Sequence, residues 1–196
     1  QVSNDLGITY ADGVTANSGS NNAILYTSPD LMDGLNVTLS YNPQGSGAAS
    51  ESGYGFNYTG VEGLSLSYAN TDVESGTATS SGDNTVIKVS YAYGPVTVSY
   101  SEMENEVAAA ANSKDKVSES YAVSYTVSDE LSLTYGSETH DRGDTAVDME
   151  IEGFSVAYTT GGMTISAAMQ SMDDGNFATG TNNDVDYWAL GASFAF

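Results

Sequence analysis

From Leu35 to Tyr41 every odd residue is apolar and every even one is polar. A period of two sends successive side chains to opposite faces, so the segment predicts a strand with two unlike faces. The same alternation runs through Tyr54, Phe56 and Tyr58; Leu64, Leu66 and Tyr68; Ile87, Val89, Tyr91 and Tyr93; and Val96, Val98 and Tyr100. It continues through Tyr121, Val123, Tyr125 and Val127; Leu131, Leu133 and Tyr135; Phe154, Val156 and Tyr158; and Met163, Ile165, Ala167 and Met169. Trp188, Leu190, Ala192, Phe194 and Phe196 close the chain, and a weaker strand covers 23–27, giving eleven strands. Between the apolar positions stand Ser, Thr, Ala, Gly and Asn. The longest apolar run, Val107 to Ala111, is far too short for a membrane-spanning helix.

The predicted connections alternate in length. Short ones fall at 28–34, 59–63, 94–95, 128–130 and 161–162, and long ones near 42–51, 70–83, 102–119, 136–148 and 171–183. Tight turns at one end and longer loops at the other are the pattern of a transmembrane β-barrel. Tyr26, Tyr58, Tyr93, Tyr125 and Tyr158 each precede a short turn, whereas Tyr41, Tyr68, Tyr100 and Tyr135 each precede a long loop. With Trp188 they predict two rings of amphipathic aromatics, one at each membrane–water interface. The fold class expected is therefore all-β, an antiparallel transmembrane barrel forming one domain over residues 1–196.

Composition sharpens this picture. The net charge is −22, from 26 acidic and 4 basic residues. Such a chain repels phosphate backbones, which excludes nucleic acid as a partner. Acidic chains poor in aromatics stay disordered, but 14 Tyr and 5 Phe argue against that here. The chain has no Cys, so it carries no disulfide framework and no thiolate metal site. No basic stretch followed by an apolar one opens it, so it reads as a mature chain or one whose export signal lies elsewhere. A slightly polar mean hydropathy is what barrel strands give, since only alternate residues meet lipid.

Ala189-x-Gly191-x-x-Phe194-x-Phe196 is similar to the C-terminal assembly signal of outer-membrane proteins, with Ala189 where that signal usually has a polar residue. The resemblance implies recognition of Gly191, Phe194 and Phe196 by the barrel assembly machinery. The stretch Asn21 to Pro29, followed by Gly34 to Tyr41, resembles the trimeric general porins of Gram-negative bacteria. In that family it follows a loop that folds into the barrel and narrows the pore. Residues 1–20 would then end that loop, and the chain would be roughly the C-terminal two thirds of a barrel of about 16 strands. The alternative is a complete barrel of twelve strands in which Leu6 to Tyr10 is the first, acting as a specific channel, an enzyme or an anchor. A secreted, calcium-binding β-rich adhesin is a third reading.

The porin resemblance implies an outer-membrane channel for passive diffusion of small hydrophilic solutes, a homotrimer, and lipid and lipopolysaccharide as surroundings. Asp5 and Asp12 are candidate constriction carboxylates, with Lys88, the one cation alternating onto the polar face within a predicted strand, opposing them. Lys114, Lys116 and Arg142 fall in predicted long loops, and Leu25 stands where the family often has an Arg. The excess of acid predicts a modest cation preference.

Catalytic chemistry finds little to use. The single His, His140, reads as a solvated loop residue with no serine assignable to it, so no catalytic residues are expected. Asp173, Asp174 and Asp184 are candidate Ca2+ ligands in a flexible acidic loop, without EF-hand spacing. No other cofactor is implied.

Overall fold

The computed structural model of the chain describes residues 23–43, 50–75, 81–108, 115–180 and 183–195. Eleven strands form one sheet: β1 Ile24–Thr27, β2 Leu35–Asn42, β3 Ser50–Tyr58, β4 Leu64–Glu74, β5 Gly82–Tyr93, β6 Val96–Val107, β7 Lys116–Thr126, β8 Leu131–Arg142, β9 Met149–Thr160, β10 Met163–Asp173 and β11 Val185–Phe194. Each is antiparallel to the next in chain order, and β1 and β11 are the two edges. The alternative closure, residues 5–11 against the last strand, lies outside the described residues, as do Asp5, Asp12 and Phe196.

Alternation in the sequence becomes two faces in register. Phe56 pairs with Val37 and Tyr68, Val98 with Tyr91 and Val123, and Ile165 with Tyr158 and Ala192. Every aromatic expected at an interface lies on this apolar face, but β4, β6 and β8 run on to Glu74, Val107 and Arg142, beyond Tyr68, Tyr100 and Tyr135, which were expected at the strand ends. Phe56 stacks on Tyr68 at 5.7 Å between ring centroids, and Tyr100 meets Tyr121 at 5.0 Å.

Among the described residues no second sheet covers the apolar face. Trp188 is 75% exposed, Leu190 71% and Tyr93 77%. Among the described residues the buried apolar core is only Met149, Ile151 and Phe177, with Met172 packed against it. A water-soluble sandwich buries its apolar face; a membrane barrel turns that face outward and satisfies its backbone through strand pairing.

Glycine builds most of the short turns, the one at 127–130 excepted. Gly161 and Gly162 both sit at positive φ (55° and 81°), as a two-residue hairpin loop of the favoured hand requires. At the other end the strands run further than the alternation suggested. β6 continues to Val107, β7 starts at Lys116, and β8 extends through His140 to Arg142. Past the second aromatic row the apolar-side parity turns acidic and the other mixes polar residues with Met103, Met149 and Ile151, so the earlier alternation is lost while the ladder continues.

Candidate functional site

The second face of the sheet is lined by short polar side chains. Asn57 donates to Asn36 Oδ1 at 3.3 Å, and Ser67 donates to Asn57 Oδ1 at 2.8 Å, linking β2, β3 and β4. Ser124 and Thr134 share a hydrogen bond of 3.0 Å between β7 and β8. Hydroxyls and amides that exchange partners with water keep such a wall wet.

Charge divides unevenly between the faces. Cross-strand partners share a face, so the registers assign every charged residue within a strand. Twelve of the fourteen carboxylates within strands lie on the apolar side of the sheet, beyond the second aromatic row; Glu102, Glu104, Glu106 and Glu119 are among them. Only Glu51 and Glu138 lie on the polar side. Lys88, Lys116 and Arg142 all lie on the polar side. Lys116 and Arg142 are therefore strand residues and cross-strand partners, contrary to their expected place in loops. The expectation failed because it read the loss of apolar alternation as the end of the strand.

His140 also departs from expectation. It lies within β8, 2% exposed, opposite Ser118 and Met149. Its Nδ1 is 2.7 Å from Ser118 Oγ, and its Nε2 is 2.7 Å from Oε1 of Glu138, which is wholly buried. Ser, His and Glu thus meet, as nucleophile, base and orienter do in hydrolases. Ser118 is itself buried, so the three act as a polar staple joining β7 to β8. Sequence spacing could not find this trio, because it depends on the β7–β8 register.

Beside this staple the segment after β10 turns onto the polar face. Gly175–Phe177 forms a single 3-10 turn, and Asp174, Asn176 and Phe177 all have positive φ. Phe177 is buried against Met149, Ile151 and Met172, and the Arg142 guanidinium sits 4.8 Å from its ring centroid. Arg142 also pairs with Asp144 at 2.9 Å. Of the candidate Ca2+ ligands, Asp184 accepts a hydrogen bond from the Asp174 N–H at 3.2 Å. Among the described residues no three acidic or His side chains are grouped to hold a metal. At the last strand, Gly191 lies on the polar face against Ser166, and Phe194 projects from the apolar face.

Known proteins share this architecture. The family model of Gram-negative porins matches residues 1–196. A porin of known structure superposes with a TM-score of 0.68 at 17% identity, covering 93% of this chain and 66% of that one. The anion-selective porin of Comamonas acidovorans gives 0.62 at 16% identity, over 90% of this chain and 60% of its own. An outer membrane protein of Vibrio cholerae, OmpT, gives 0.59 at 17% identity, over 88% and 64%. The chain spans about two thirds or less of the length of these chains. No curated protein sequence matches. The chain belongs to the Gram-negative porin family, β-barrel proteins of the outer membrane.

Proposed function

We propose that the chain forms the wall of a water-filled channel through which small hydrophilic solutes and ions diffuse passively. The observation carrying this reading is the two-faced sheet: large apolar side chains exposed on one side, hydroxyls, amides and cations on the other. The apolar side faces lipid, and the polar side lines the pore. Tyr26, Tyr58, Tyr93, Tyr125 and Tyr158 form the girdle at the short-turn interface. Tyr41, Tyr68, Tyr100, Tyr135 and Trp188 form the other, at lipopolysaccharide headgroup level. The family resemblance supports a homotrimer, assembly through Gly191, Phe194 and Phe196, and a constriction near Asp5 and Asp12.

Net charge alone favoured cations. The partition of charge removes that ground for the described wall, because the strand carboxylates lie mostly outside the pore and the strand cations lie inside it. Selectivity follows the charges that line a pore. Reconstitution of the full chain in planar bilayers tests the channel reading. Stepwise, ohmic conductance that scales with bulk conductivity supports it; a correctly folded protein that never conducts overturns it.

A further inference from the structure

We propose that the depression around Lys88 is an anion subsite on the pore wall, taking small oxyanions of the phosphate class. It rests on the channel reading and adds a ligand to it. The depression has a volume of about 300 Å³ and is lined on the polar face by Lys88 with Ser65, Ser67, Ser90, Ser99 and Ser101. Ser67 and Ser101 are the cross-strand partners of Lys88, while Ser65 and Ser99 flank Ser90 one step along the sheet.

The chemistry of this set is one-sided. Lys88 brings three donors and a full positive charge, and each serine brings a hydroxyl that turns to donate. Lys88 is exposed, and the described residues offer it no carboxylate: Asp144 pairs with Arg142, and the Glu138 carboxyl lies against His140. Glu138 lies in the same cross-strand row but three strands away, roughly 14 Å at the usual strand spacing. It is wholly buried and engaged by His140. A cation site needs acceptor charge, which the described residues around Lys88 do not supply; an oxyanion finds donors on several sides.

The position suits a path. Lys116 pairs with Asn105, four residues beyond the Ser101 that faces Lys88, which is about 13 Å of strand. Lys116 and Arg142 line a second cavity towards the long-loop end. Asp144 lines that cavity too and pairs with Arg142, so the polar wall carries the charge of Lys116 at its long-loop end and that of Lys88 further in. One ammonium with serine hydroxyls binds weakly enough to release its anion, as conduction requires.

The test uses the full chain in planar bilayers. Chloride current is recorded while inorganic phosphate replaces chloride on one side at constant ionic strength. Millimolar phosphate should reduce the chloride current. In Lys88→Gln the phosphate effect should weaken about tenfold, and in a KCl gradient the reversal potential should move towards the cation value; Lys88→Arg should retain both properties. Phosphate acting equally on wild type and Lys88→Gln, or on neither, overturns the subsite while leaving the channel intact. If the protein does not conduct, the channel reading fails by itself. Phosphorus resonance line broadening with the detergent-solubilised protein then decides the site: broadening lost in Lys88→Gln supports it, and broadening absent or unchanged overturns it.

Discussion

The guanidinium of Arg142, at the end of β8, lies 4.8 Å from the ring centroid of Phe177, in the turn that follows β10. Phe177 is also one of three residues in that turn with positive φ but no glycine's freedom (φ 57°). Left-handed backbone costs about 1–2 kcal/mol per residue, so side-chain packing must hold it. The packing is visible: Met149, Ile151 and Met172 beneath the ring and a cation over it. Phe177→Ala should lower stability by about 3 kcal/mol, read as a fall in the urea midpoint of unfolding. Single-channel conductance of the same variant should rise, since the segment turns onto the pore face.

The Ser118–His140–Glu138 staple predicts an ordered set of losses. His140→Ala removes the ring that meets both Ser118 Oγ and the buried Glu138, and should cost about 3 kcal/mol, the upper end for losing a buried polar contact. Ser118→Ala removes one hydrogen bond and should cost about 1 kcal/mol. Denaturant titrations of the two variants check the order. Equal, negligible losses would mean that the trio does not join β7 to β8.

Alternation revealed the faces of ten strands and the hairpin order, because lipid and pore water differ most at mid-membrane. The trio and the Arg142–Phe177 contact were not legible. Glu102, Glu104 and Glu106 keep one parity while Met103 and Asn105 take the other, and Glu138, His140 and Arg142 do the same. That parity is a strand signal without apolar contrast, and reading it would have recovered the extensions of β6 and β8. The contact between Ser118 and His140 depends on the four-residue turn at 127–130 fixing the register. Phe177 stands in a turn, where no periodicity says which way a ring points.

Asp148, an exposed residue in the connection before β9, is held above the ordinary carboxylate range by some loss of hydration, then by the charge of Asp141 and a hydrogen bond shared with it. The folded state therefore binds this proton more tightly than the unfolded state. Stability falls as pH rises through the ordinary value of about 3.9 towards the raised one, and the deficit persists at neutral pH. Asp148→Asn should melt slightly higher than wild type at pH 7. The difference should vanish below about pH 3.9, as melting curves across the range would reveal.

The carboxylates beyond the Tyr100 row repel one another across β5, β6 and β7, where Glu102 faces Glu119 and Glu106 faces Asp83. Added salt screens exposed charges over about 8 Å at physiological strength. The melting temperature in detergent should rise from low salt to that strength. The variant Glu102→Gln, Glu104→Gln, Glu106→Gln should show a smaller rise.

The assignment of the faces is tested most directly at two adjacent residues of β6. The chain contains no Cys, so a single introduced thiol is unambiguous. Ser99 lies on the polar face and Val98, 49% exposed, on the apolar one. In lipid vesicles a charged, membrane-impermeant thiol reagent should modify Ser99→Cys quickly and lower the conductance, while Val98→Cys stays unreactive. Rapid modification of Val98→Cys with Ser99→Cys silent would contradict the account, since the polar face would then not be the one that meets water.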